Sequence, residues 1–381
     1  MNIPLTHLIT GVEPNTATRA DCLAMAKELI AKQEISPDIL TGNINFARVT
    51  MLQLFVHMTI NTRDVPGGTG RENLYSGHLK DGFGVYPETG RDHPVIDKAT
   101  GKFDVDEKTG LLHWYSGSGK IRFMVGDVHR VTEHFFLASA HFFAHRLHNK
   151  LLDDGVAVDY VDAKRKTLAC LARIFLDIWK DHTQQLSDSV IAVDAKRLKA
   201  ELSRRNRELG LVINTHEVVT AFMRWAHTLV QSNEMSEGLN HPIFDRDEQI
   251  VKMFNWNLLT AELDLAMPSV PQVSPAMTEM NHTGGEPDVR LLTMTRFCEQ
   301  GLNSWDDIAG YLNVDFDTVD KPTPTWLGVL QESNGGQPGL ITTRILNACF
   351  YEALWKDNLL DDNVGDHIND SLQTVMEYMT T

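Results

Sequence analysis

No run of about 18 apolar residues occurs in the chain, so no segment of it reads as a transmembrane helix. Cysteine is scarce: the four residues are Cys22, Cys170, Cys298 and Cys349, with no CxxC pair and no short-spaced framework. That pattern excludes a small disulfide scaffold and a zinc ribbon, and it predicts free thiols in a reducing compartment. The opening stretch, MNIPLTHLITGVEPNTATRAD, has no basic region followed by an apolar core, so no secretory signal is read there and a cytoplasmic protein is expected. Positive charge is in deficit, with Lys+Arg 35 against Asp+Glu 51 and a formal net charge of -16. Such a chain repels phosphate backbones and anionic lipid surfaces, which argues against nucleic acid or a membrane as partner. Internal repeats and alternating βαβ units are also missing, which excludes solenoid and doubly wound folds.

What is present is a globular composition, 42% hydrophobic and 23% charged, with helical periodicity along most of its length. Residues 1–18 read as an irregular arm. The spacing predicts helices over 19–33 and 45–60, the second apolar almost all round and therefore buried. Residues 61–120 change character. The turn signals PGGTG, PETGRD, KATGK and EKTG predict a long irregular region with small hairpins. From about 128 onward, helices are expected over 128–152, 163–191, 194–209 and 216–233. The Pro-rich stretch 267–277 breaks the pattern, and shorter helices follow near 288–300, 304–312 and 340–355. An acidic, amphipathic tail occupies 358–381. The expectation is a mainly α chain forming one domain over 1–381.

The chemistry-bearing residues are unevenly spread. FMVGDVHRVTEHFF, residues 123–136, places Arg130, Glu133 and His134 on one helical face at the mouth of an apolar run. A salt-bridged first turn would explain them; so would a group in the core that needs charge. His141, His145 and His148 follow at i, i+4 and i+7, a spacing that could face a metal, but no HExxH or CxxC partner accompanies them. His57 and His227 each lie alone in an apolar helical setting. Two such histidines plus an arginine suggest a shared cofactor wanting one imidazole as ligand and another as proton carrier, and haem meets that need. SGSGK at 116–120 is not a phosphate loop, because Trp114 and Ile121 stand where glycine and Ser/Thr are required.

At this point three segments resemble, in order, the animal-type (peroxidase–cyclooxygenase) haem peroxidase superfamily. QLFVHM (53–58) is similar to the distal-helix pattern, with Gln53 and His57 on matching positions. Val56 and Met58 stand where mammalian members carry a haem-esterifying and a calcium-ligating aspartate. GDVHRVTEHFFLASAHFFAHRLHNKLL (126–152) matches at Gly126, Asp127, Arg130, Glu133, Arg146, His148 and Asn149. HEVVTAFMRWAHTLVQ (216–231) resembles the proximal helix at Glu217, Phe222, Arg224 and His227. A weaker fourth match, 291–308, keeps Arg296, Gly301 and Leu302, while Glu299 and Gln300 replace an Asp-His pair.

The resemblance implies a mainly α fold around haem b and a peroxidase that uses H2O2, through a ferryl species, to oxidise a small organic substrate. It makes His227 the axial iron ligand, with Asn281 as a candidate hydrogen-bond partner, and Arg224 a partner of a haem propionate. His57, Arg130 and Gln53 take the distal positions. Glu133 takes the position of an ester-forming glutamate and His134 that of a methionine bonded to the haem vinyl. At most one ester is possible, because Val56 has no carboxylate, and Met58 makes calcium doubtful. Two alternatives stay open. One is a fatty-acid dioxygenase of the same superfamily, although Arg224 occupies the position of its radical-forming tyrosine. The other is a haem-less scaffold member.

Overall fold

The computed structural model describes residues 7–9, 17–32, 40–64, 71–75, 82, 84–87, 89–105, 114–117, 120–123, 135–183, 196, 215–229, 264–268, 289–315, 323–333, 337–356, 359 and 372–380. Among them helices dominate: α1 (Arg19–Lys32), α2 (Phe46–Thr59), α3 (Phe135–Asp153), α4 (Tyr160–His182), α5 (Val289–Gln300), α6 (Trp305–Leu312), α7 (Thr325–Glu332), α8 (Leu340–Lys356) and α9 (Leu372–Thr380). The strands are short and pair only as antiparallel ribbons: β1 (Leu40–Asn45) with β6 (Asp264–Pro268), β2 (Ile60–Asp64) with β3 (Arg71–Tyr75), and β4 (Trp114–Gly117) with β5 (Lys120–Phe123).

Helix α2 is the centre of the packing. Met51, Leu52, Leu54, Phe55, Val56 and Met58 are all buried, as expected of a helix apolar on every side. It packs against α3, α4 and a 3-10 helix, Met223–Leu229. A second, smaller core brings together Ala26 of α1, Met294 of α5, Ala221, and Trp326, Leu327 and Leu330 of α7. Gly328 is required there, because a Cβ would fall 2.1 Å from the Trp305 ring.

Local signals fix several ends. Ser304 caps α6, accepting from the Asp307 N–H at 3.2 Å while Asp307 accepts from the Ser304 N–H at 3.3 Å. Gly301, at φ 58°, ends α5: its N–H donates to the Cys298 carbonyl and that of Leu302 to the Phe297 carbonyl, both at 3.2 Å. That pair of bonds gives the Gly301–Leu302 dipeptide a structural reason.

Several expectations need correction. Cys22 and Cys298 are not free thiols; they form a disulfide joining α1 to α5, while Cys170 and Cys349 are buried and take no part in a disulfide. The cysteine argument for a reducing compartment therefore fails. The helix expected over 216–233 is not a regular α-helix. It passes through a π turn, Val218–Phe222, into the 3-10 helix Met223–Leu229. The Pro-rich stretch begins as strand, since Pro268 pairs with Leu40. Helix α7 answers to no expected element. Short antiparallel pairs are present in the region expected to hold hairpins, and in one of them Ser116 pairs with Ile121 and Gly117 with Lys120. The charged helix expected over 194–209 lies outside the described residues except for position 196. No described helix is long and apolar enough to cross a membrane.

Candidate functional site

Gln53 is the polar exception among the described side chains of α2. Its side chain is 4% exposed, among the apolar residues named above, and among the described residues neither its Oε1 nor its Nε2 has a hydrogen-bond partner. An unsatisfied buried carboxamide costs about 1–3 kcal/mol, so the fold carries an expense here that a bound polar group would relieve. His57 follows one turn later on the same helix; its backbone is described and its side chain is not.

Helix α2 packs against the 3-10 helix Met223–Leu229, which carries Arg224 and His227. The structure thus brings the two segments with the isolated histidines into contact. Arg224 is half-buried, and the side chain of His227 is outside the description. The π turn followed by 3-10 backbone departs from regular helix within the span that was expected to carry an iron ligand. Such irregularities recur at functional sites because they re-aim side chains. Arg130, Glu133, His134 and Asn281 all lie outside the described residues.

Glu217 anchors the start of this segment. It is fully buried, yet its carboxylate accepts from the Leu8 N–H at 2.7 Å, the Asn303 N–H at 3.1 Å and the Asn303 side-chain amide at 2.7 Å; His7 Nδ1 lies 2.9 Å away. Burial pushes its pKa up, but His7 and these N–H groups outweigh that, and the net shift is downward. Nothing in the sequence pointed to His7 or Asn303 as its partners, because they lie 210 and 86 residues away.

Two of the α3 histidines, His145 and His148, are engaged in hydrogen bonds. Nε2 of His145 donates to the Val85 carbonyl at 2.7 Å, and Nε2 of His148 donates to the Gly101 carbonyl at 3.1 Å. With Nε2 holding the proton, Nδ1 of His148 accepts from the Tyr86 hydroxyl at 3.0 Å. Nδ1 of His145 is buried and has no partner among the described residues. Burial drives the pKa of both imidazoles down to about 4. Among the described residues no group of three or more His, Cys, Asp or Glu could hold a metal ion. Asn149 completes the anchor: its Oδ1 accepts from the Phe103 N–H at 2.7 Å and its Nδ2 donates to the Phe103 carbonyl at 2.8 Å. His148 and Asn149, both matched by resemblance, therefore hold the irregular 82–105 region onto α3.

No protein-family model and no curated protein matches the sequence. Solved structures do resemble the fold. Peroxidase A from Dictyostelium discoideum is similar over 100% of this chain and 94% of its own, with TM-score 0.61 at 12% identity. The fatty acid alpha-dioxygenase of Oryza sativa, solved with palmitic acid, is similar over 97% of this chain and 78% of its own, with TM-score 0.58 at 14% identity. The corresponding Arabidopsis thaliana enzyme covers 91% of this chain and 71% of its own, with TM-score 0.53 at 13% identity. The fold of this chain is the mainly α fold shared by these proteins of the animal-type peroxidase–cyclooxygenase superfamily.

Proposed function

We propose that the chain is a haem-dependent oxidoreductase of this superfamily, a peroxidase acting with H2O2 on a small organic molecule. One observation carries the reading. The helix bearing Gln53 and His57 packs on the segment bearing Arg224 and His227, and Gln53 there has a buried carboxamide without a partner among the described residues. An imidazole on each of two contacting segments, with an unmet amide beside one of them, suits a flat, polar-edged group in an otherwise apolar core.

In this reading His227 holds the iron and Arg224 pairs with a propionate carboxylate. Bound haem supplies the iron at which a peroxide O–O bond is cleaved and from which oxidising equivalents reach a substrate. His57, neutral, accepts the proton of the incoming peroxide and returns it to the departing oxygen. Arg130, always charged, stabilises the negative charge that builds on that oxygen. Gln53 fixes a distal water or small anion. Glu133 forms at most one ester, since Val56 offers no second carboxylate, and His134 lies beside it. Calcium has no role in this proposal, because Met58 occupies the position of the calcium-ligating aspartate.

The dioxygenase neighbours support a second reading, oxygenation of a fatty acid. Arg224, three residues before His227, favours the peroxidase, because the dioxygenase chemistry needs a tyrosine at that place. Optical spectra before and after H2O2 test the proposal, alongside His227→Ala. The expected result is a Soret band that responds to peroxide and is lost or displaced in the variant. Prompt oxygen uptake with palmitate and no peroxide would replace the peroxidase by the dioxygenase. A chain that stays colourless when haem is supplied would leave neither.

A further inference from the structure

We propose that the paired indoles of Trp179 and Trp225 are a one-electron donor to the peroxide-oxidised haem, an inference that rests on the function proposed above. Trp225 stands between Arg224 and His227 and is 1% exposed. Its ring meets that of Trp179 edge to face, with centroids 5.6 Å apart at 78°. Trp179 stacks on Phe175 at 5.8 Å, and Phe175 stacks on Phe55 at 3.5 Å. Phe55 lies between Gln53 and His57 on α2. Phe350 closes the column with edge contacts to Phe55, Phe175 and Trp179 at 5.1, 4.7 and 5.1 Å.

An aromatic column therefore joins the two segments assigned to haem. Its phenyl rings give up electrons only at extreme potentials, whereas indole is readily oxidised. The oxidisable part of the column is thus the Trp179–Trp225 pair, directly beside the segment carrying His227. The step transfers one electron from the indole π system and reduces the oxidised haem by one equivalent, with no bond made or broken. The proton is held at Trp179: its Nε1–H donates to Oδ1 of Asn347 at 2.5 Å, and a carboxamide is no base. The product is a protonated indole radical, which an organic substrate later reduces back. Packing alone would explain edge-to-face indoles, but it would produce no radical.

The test uses the haem-reconstituted full chain, mixed with one equivalent of H2O2 in the absence of organic substrate, rapidly frozen and read by electron paramagnetic resonance. The expected signal is an organic radical whose proton splittings collapse in protein labelled with ring-deuterated tryptophan, with an N–H splitting that disappears in D2O. Combining Trp179→Phe with Trp225→Phe removes most of the signal while the Soret band stays in place. If that variant folds poorly, Trp179→Phe and Trp225→Phe made singly keep the test decisive, because each should weaken or alter the tryptophan-derived signal while Trp114→Phe, outside the column, leaves it unchanged. A radical that responds to ring-deuterated tyrosine instead, or one undiminished in the double variant, overturns the inference while haem binding stands. A Soret band that is absent, or that ignores peroxide, defeats the proposed function and this inference with it.

Discussion

Asn303 donates twice to one oxygen of Glu217, from its backbone N–H at 3.1 Å and from its side-chain amide at 2.7 Å. The other oxygen accepts from the Leu8 N–H. One buried carboxylate thus ties the N-terminal residues 7–9 and the lead-in to α6 to the segment that carries His227. Glu217→Gln presents an NH2 group to donors that need an acceptor. The expected loss is about 2–4 kcal/mol, read as a lower urea midpoint at unchanged slope. The pH dependence has a defined sign. The folded pKa of Glu217 lies below its ordinary value of 4.5, so its contribution is present above 4.5 and is lost as the pH falls through the folded value. In the Gln variant that acid-limb loss disappears.

A second acid sensitivity begins at higher pH, at His145 and His148. Both stay neutral when folded, with pKa values near 4 against 6.5 when unfolded. Protonating His145 would put a hydrogen on a buried Nδ1 that faces no acceptor, and protonating His148 would turn a donor against the Tyr86 hydroxyl. Between 6.5 and 4 the unfolded chain therefore binds protons that the native chain refuses, and stability falls with pH over that window. The full loss is about 3 kcal/mol for each imidazole. Urea midpoints measured from pH 7 to pH 4 should show a decline that His148→Asn roughly halves. A flat profile would show that these rings are protonated without cost.

How much of this is legible in the sequence depends on the range over which each cause acts. The helix over 45–60 is legible because every described side chain from Met51 to Met58 except Gln53 is apolar, which only a buried helix tolerates. The hairpins of 61–120 follow from their turn residues, and the end of α5 follows from Gly301. The Cys22–Cys298 bond does not, because two thiols 276 residues apart carry no local mark of their pairing. The β1–β6 ribbon is hidden for the same reason. The switch to π and 3-10 backbone after Glu217 escapes periodicity, because the apolar spacing of 216–233 suits an ordinary helix as well. For the site, the order of Gln53, His57, Arg224 and His227 is legible through resemblance, and the contact between their segments is what the structure adds. The partnerless state of Gln53 is visible only in three dimensions.

The disulfide makes its own prediction. Cys22 lies on α1 and Cys298 on α5, two helices that pack together and also share the Arg19–Glu299 ion pair at 2.7 Å. Closing so long a loop restricts the unfolded chain, and its reduction is expected to cost about 2–5 kcal/mol. The helix packing remains, so the fold should persist at a lower thermal midpoint. Thiol titration in denaturant should find two reactive groups before reduction, Cys170 and Cys349, and four after it. Four before reduction would show that the bond does not form. Cys22→Ser should reproduce the reduced midpoint and become insensitive to reductant.

Gln53 separates a core flaw from a binding group. If its amide is held in readiness for a ligand, its cost falls on the ligand-free chain alone. Gln53→Leu, close in shape and free of polar atoms, should then raise the stability of the haem-free protein by about 1–2 kcal/mol. The same change should shrink the extra stability gained on adding haem, because bound ligand gives the wild-type amide a partner that leucine cannot use. The cycle therefore has opposite signs on its two sides. Urea midpoints of both proteins, with and without haem, measure all four corners. Destabilisation of the haem-free variant would mean that the amide already has a protein or water partner, and Gln53 would lose its place in the site. Equal gains on haem addition would leave haem bound elsewhere or by other contacts, with His57 and His227 still to be tested by their own substitutions.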